Sequence, residues 1–235
     1  MQDFAAEFST ALWRILSLDH DIVEIVGLSL RVSLTATLLS CVFGLFAGAF
    51  LAVVRFSGRQ GVITLVNALM GLPPVVVGLF VYLNLSRAGP LGWLGLLYTP
   101  TAMIVAQTIL ITPIVAALSR QVLEDLHAEY REQFSSLTLS RLAQTRAMLW
   151  DGRYSLLTVA LAAFGRSVAE VGAVIIVGGN IEHLTRVMTT AIALETSKGN
   201  LSLAMALGIV LLIIALGVNA LVSSMRLSAS RLGYA

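Results

Sequence analysis

Residues 34–54 read LTATLLSCVFGLFAGAFLAVV, an uninterrupted run without a single charged side chain. A helix needs roughly 20 such residues to cross a hydrocarbon core. Residues 62–85, 100–118, 154–177 and 201–222 have the same character, and the five stretches together hold only two charges, Arg166 and Glu170. Across all 235 residues, 57% are hydrophobic and 12% charged, and the mean hydropathy is +0.89. A soluble domain carries about 25% charged residues, so an ordinary water-soluble enzyme is excluded. Leucine, isoleucine and alanine recur without the period-2 alternation of a membrane barrel, which leaves helices. The expected fold is an all-α membrane protein, a bundle of five transmembrane helices in one domain over residues 28–235. An amphipathic segment, residues 1–27, precedes it. There Phe4, Phe8, Leu12 and Ile15 recur at helical spacing, suiting either the membrane interface or the bundle's own flank.

The charges between the spans set the expected orientation. With the N-terminus outside, the inner segments hold Arg55, Arg59, Arg120, Arg131, Arg141, Arg146, Arg153, Arg226 and Arg231. The outer ones hold Arg14, Arg31, Arg87, Arg186 and Lys198. Arginine and lysine gather on the cytoplasmic side, so the N-terminus is expected outside and the C-terminus inside a prokaryotic cell membrane. The start of the chain, with Asp3 and Glu7, lacks the basic n-region of a secretory signal. Cys41 is the single cysteine, and His20, His127 and His183 share no ligand spacing, so no metal site is expected. No basic run exists to bind nucleic acid. The sequence has no G-x-x-x-x-G-K-[ST] phosphate loop and none of the common hydrolase motifs, so the chain is expected to be no enzyme and to carry no cofactor.

Four features carry chemistry. Residues 119–153 form the longest inner segment, with five acids and five arginines. Residues 125–137 read as a charged helix, and Ser140 as the cap of a second one over residues 141–149. The apolar Phe134, Leu137 and Leu139 at the tip of this knob either meet a partner groove or fold back on the bundle. Arg166 and Glu170, four apart on one helix face, lie at membrane depth, where charges must pair or face a hydrated cavity. They either lock helix packing together or line a path for an anion. Pro73 and Pro74 interrupt the second span, as a packing kink or a break that lines a pathway, and Pro113 with Thr112 invites the same reading in the third. Gly44 and Gly48, spaced G-x-x-x-G, permit close approach of a neighbouring helix or of a second copy.

The inner segment resembles the permease subunits of binding-protein-dependent ABC importers. In that family the loop reads Glu-Ala-Ala, three residues, Gly, nine residues, Ile-x-Leu-Pro. Here Glu132-Gln133-Phe134 opens the motif, Thr138 stands in the glycine's place, and Met148-Leu149-Trp150-Asp151 closes it. A β-branched residue resists the positive φ that glycine accepts. Residues 164–173 (FGRSVAEVGA) and Gly178-Gly179-Asn180-Ile181 look like the sulfate, molybdate and tungstate branch of these permeases. Residues 86–92 (SRAGPLG), 185–192 (TRVMTTAI) and 194–199 (LETSKG) resemble the tungstate-type permeases.

The resemblance implies a type I importer permease, working as a homodimer with two ATPase subunits and an external oxyanion-binding protein; ATP and Mg would sit in the ATPase. It places Glu129, Glu132, Gln133, Phe134, Leu137, Thr138 and Ser140 against that ATPase. Pro73, Pro74, Arg166, Ser167 and Glu170 would belong to the translocation path or gate. Asn180, Glu182, Arg186 and Lys198 would meet the binding protein. The implied cargo is tungstate, with molybdate or sulfate as the alternative and a stand-alone secondary transporter as the remaining one.

Overall fold

The computed structural model describes residues 4–231. Asp3 lies outside the described residues, as do the side chains of Phe4, Arg226 and Arg231 named above. Eleven α-helices follow one another, with no strand among the described residues: α1 (Phe4–Leu16), α2 (His20–Val53), α3 (Arg59–Leu69), α4 (Pro74–Leu85), α5 (Pro100–Glu129), α6 (Arg131–Ser136), α7 (Arg141–Asp151), α8 (Arg153–Val168), α9 (Gly172–Gly178), α10 (Met188–Lys198) and α11 (Leu201–Arg231). Three of them, α2, α5 and α11, are long and apolar enough to cross a membrane. The second and fourth expected spans are broken helices, α3 with α4 and α8 with α9, and counting each pair once gives five spans.

The reason for the first break is local. Pro73 caps α4 in an extended conformation and Pro74 takes its first helical position, where a missing N–H costs nothing. The proline pair therefore makes a full interruption rather than a kink. Pro113 does not: α5 continues through it. Thr112 Oγ1 and Ser40 Oγ donate to Thr108 O at 2.7 and 3.3 Å, one residue before the carbonyl that the proline leaves without its helical donor. The first span starts earlier than its apolar run, because Asp19 Oδ1 accepts from Asp21 N and opens α2 there. In α1, Ala11 is fully buried while Trp13 and Leu16 point outward.

The chain forms two compact units. One comprises residues 1–36, 73–107 and 165–217, the other residues 37–72, 108–164 and 218–235. In the second unit Gly44 and Gly48 of α2 lie against α5. A Cβ on Gly44 would come within 2.8 Å of the Val115 side chain, and one on Gly48 within 2.9 Å of Ala116 O and Arg120 N. The G-x-x-x-G motif thus packs within the chain. In the first unit Gly78 of α4 does the same against Ala173 of α9.

Candidate functional site

The break between α8 and α9, in the first unit, gathers the polar side chains of the expected path. Arg166 Nη1 donates to Glu170 Oε2 at 2.6 Å, and the Glu170 side chain is only 4% exposed against 42% for Arg166. Glu170 is not mid-helix: α8 ends at Val168, and its Oε1 accepts from Ala173 N in the first turn of α9 at 3.2 Å. The carboxylate therefore caps α9, whose first-turn N–H groups point at negative charge. The arginine holds the outer oxygen and keeps part of its guanidinium free of the core.

Neighbouring elements fix this break from several sides. Ser167 Oγ donates to Gln107 Oε1 at 2.9 Å, and Gln107 Nε2 returns a bond to Ser167 O at 3.2 Å. Thr189 Oγ1 donates to Glu170 O at 2.8 Å, and Met188 N to Ser29 Oγ at 2.7 Å. Ser29, Ser33, Gln107, Glu170 and Thr189 line one small polar cavity. Of these, Ser29 and Ser33 escape sequence reading, because a serine hydroxyl on a helix usually bonds its own backbone, as Ser29 Oγ does with Ile25 O. Pro73 and Pro74 stand in the same unit, and Val75, just after them, would lie 3.0 Å from a Cβ on Gly172.

The four residues expected to meet a binding protein divide. Asn180 is turned inward, exchanging bonds with Thr190 through Oδ1 and Nδ2, and sits at φ 50° after Gly179 at φ 71°. Glu182 and Lys198 are exposed, and Arg186 bonds Glu182 at 2.9 Å. They border a cleft of about 230 Å³ with Arg14, Asp21, Glu24, His183, Glu195 and Asn200. Burial pushes the Glu195 carboxyl up, but hydrogen bonds from Lys198 and Asn200, with the charges of Lys198 and Arg186, bring it below its ordinary value.

His183 Nδ1 lies 2.8 Å from Glu24 Oε2. This hydrogen bond, then the Glu24 charge, raises the imidazole above its ordinary 6.5, with Glu182 and Asp21 adding to the effect. A raised folded-state value means the pair stabilises below pH 6.5 and is lost as pH climbs through that raised value. Histidine NMR should show His183 titrating above 6.5, and Glu24→Gln should bring it down. An unshifted His183 in the wild type would remove the pair.

Residues 119–153 belong to the second unit. The charged helix expected over residues 125–137 is two pieces, the end of α5 and the six-residue α6. Phe134 is 7% exposed, not a free tip. It packs with Ala52, Leu123, Met148 and Leu156, with Tyr130 and Leu139 beside it, and its ring meets Tyr130 edge-on at 5.7 Å. The register of α6 turns Phe134 inward and leaves Leu137 64% exposed, joined by Leu142 at 80%, which sequence reading missed. Glu129, Glu132 and Gln133 are exposed as well. Ser140 caps α7 as expected, accepting from Ala143 N at 3.3 Å.

Thr138, in the glycine's place, does adopt φ 47°, which costs a side chain about 1–2 kcal/mol. Thr138→Gly should therefore stabilise the segment by about 1 kcal/mol, seen as slower proteolysis between α6 and α7. Equal or faster cleavage would argue against strain there.

These features define a multi-pass, all-α membrane protein with two broken spans and a polar break between α8 and α9. No family model matches the chain. The tungstate uptake system permease protein TupB of Peptoclostridium acidaminophilum is 37% identical over 96% of this chain and 99% of that protein. A probable anion ABC transporter permease protein of Haloferax volcanii is 41% identical over 85% of this chain and 88% of its own length. TupB of Campylobacter jejuni is 36% identical over 90% of this chain and 89% of its own. The chain belongs to this family of ABC transporter permease proteins and is a transport subunit. Sulfate and molybdenum transport permeases are more distant relatives, at 31% and 28% identity for two of them.

Proposed function

We propose that this permease carries tungstate inward as the membrane subunit of an importer, N-terminus outside, two copies working with two ATPase subunits and an external binding protein. The observation that carries the reading is the 37% identity to a tungstate uptake permease over nearly the whole of both chains. Without a phosphate loop of its own, the chain takes its driving force from the ATPase. ATP binding there closes the ATPase pair, presses on residues 129–140 and turns the spans from inward-open to outward-open. A dianion delivered from outside then crosses a path that holds it weakly, because a tight site would retain its cargo. The α8–α9 break suits such passage. Its carboxylate-capped helix end is already neutralised, and the half-exposed Arg166 with neighbouring hydroxyls and amides offers brief stabilisation.

Proteoliposomes holding the permease, its ATPase and the binding protein should accumulate tungstate in preference to molybdate and sulfate when ATP is supplied. Preference for molybdate or sulfate would correct the cargo, and uphill flux by the permease alone would overturn the reading. Leu137→Asp with Leu142→Asp should abolish co-purification of the ATPase while the permease stays folded. Full retention of the ATPase would place its docking surface elsewhere.

A further inference from the structure

Helix α7 has an uncovered face whose membrane-side half the transport reading leaves unused. Met148 is fully buried in the core of the second unit, and the opposite side of the helix is exposed at Leu142, Arg146 and Trp150. Their spacing of four puts them in one row. Trp150 is 69% exposed, and Arg153 holds it in place. The Arg153 guanidinium lies 4.7 Å over the Trp150 ring and 4.8 Å over that of Tyr154, within cation–π range of both. Its Nη1 also donates to Trp150 O at 2.6 Å, closing the last turn of α7, where carbonyls lack helical donors.

Chain order says where this cluster stands. After α5, the short α6 and the turn at Thr138 form the far end of the segment, and α7 returns to α8, which opens the apolar stretch of residues 154–177. Trp150 and Arg153 therefore precede the hydrocarbon core by only a few residues, while Leu142 lies about 12 Å back along the helix, towards Leu137. The corner between α7 and α8 is packed on α5: a Cβ on Gly152 would come within 2.9 Å of Leu126 Cδ1. Residues 141–154 hold Arg141, Arg146 and Arg153 against Asp151 alone, so the face is net positive. Arg146, exposed and one turn before Trp150, makes no ion pair among the described residues.

We propose that the Arg146–Trp150–Arg153 face of α7 lies in the headgroup layer of the membrane and binds anionic phospholipid there. Tryptophan and tyrosine settle where hydrocarbon meets water, because the ring is apolar and its N–H or O–H stays wet. Basic side chains beside them are drawn to anionic headgroups, and a guanidinium fork matches two phosphate oxygens. The position of the cluster at the start of a span, more than the ring alone, decides for lipid over a protein partner. The inference rests on the membrane-spanning fold and not on what the permease transports.

The test uses the full chain with Trp13→Phe and Trp93→Phe, which leaves Trp150 as its single tryptophan, in nanodiscs of phosphatidylcholine and phosphatidylglycerol. Lipids brominated near the top of their chains quench an indole that they touch. Trp150 should be quenched, and more by brominated phosphatidylglycerol than by brominated phosphatidylcholine at equal mole fraction. Arg146→Gln, which breaks no ion pair, should lower that preference about fivefold. Arg87→Gln, an exposed arginine of the other unit, should leave it unchanged. With 5-hydroxytryptophan in place of tryptophan, the quenching should persist after the ATPase is added. Quenching by aqueous iodide but not by bromine would put the ring in water, and quenching by neither would put it against protein. Either result would overturn the proposal, as would loss of bromine quenching on adding the ATPase. Equal quenching by both lipids, unchanged in Arg146→Gln, would overturn it too.

Discussion

Arg166→Ala should destabilise the permease by about 3 kcal/mol and abolish tungstate uptake. The carboxylate of Glu170 is 4% exposed, and the arginine supplies its charge-bearing partner at 2.6 Å. Removing one member of a buried ion pair costs about 3–5 kcal/mol because the other charge is left uncompensated. The 42% exposure of Arg166 puts the expectation at the low end, since solvent screens that side. Adding Glu170→Gln should recover most of the stability: the amide oxygen still accepts from Ala173 N, and no buried charge remains. That double variant separates the two roles of the pair. Stability recovered without uptake would make the charges part of the path, and uptake recovered as well would make them a lock on the α8–α9 break. Wild-type stability in Arg166→Ala alone, measured by detergent melting, would defeat both.

How far such a pair can be read in advance depends on the kind of signal. Four residues of spacing put Arg166 and Glu170 on one face, and the structure pairs them. What spacing hides is that the helix stops between them: Ala169, Glu170 and Val171 leave the helical path with no proline to announce it. That break is held from outside, by Gln107 on Ser167 and by Thr189 on the Glu170 carbonyl, contacts 60 and 19 residues away in sequence. The Pro73–Pro74 break is legible because the ring itself forbids the helix. Pro113 shows the limit of that rule, since α5 continues through it. Five apolar spans can be counted because hydrophobic length is a property of the chain alone.

Phe134 shows where local signals fail. A short helix of charged residues offers no face to read, and only the pocket formed by Ala52, Leu123 and Met148 decides that the ring turns inward. Leu137 and Leu142 are left outside by the same register. The serine at 140 is readable because an N-cap is a local bond between a hydroxyl and a backbone N–H three residues on.

Gly48→Val should be as damaging as the loss of Arg166, for a steric reason. Even the first carbon of a side chain at 48 would press into Ser119 Oγ and reach 2.8 Å from Ala116 O and 2.9 Å from Arg120 N. Ser119 Oγ can rotate, at the expense of its bonds to Gly44 O and Ala116 O. The other two atoms are backbone of a continuous helix and cannot move without shifting α5 as a body. Overpacking of this kind costs about 1–3 kcal/mol for small additions, so Gly48→Ala should fall in that range and the branched valine above it. The displacement also reaches Arg120, whose guanidinium holds Glu124. Gly61→Ala is the comparison, because nothing lies within 4 Å of its added carbon. Detergent melting that ranks Gly61→Ala, Gly48→Ala and Gly48→Val in order of increasing loss would bear out the α2–α5 contact. A Gly48→Val protein as stable as Gly61→Ala would mean that the two helices are not in contact there, and the spacing of Gly44 and Gly48 would return to being a surface for another chain.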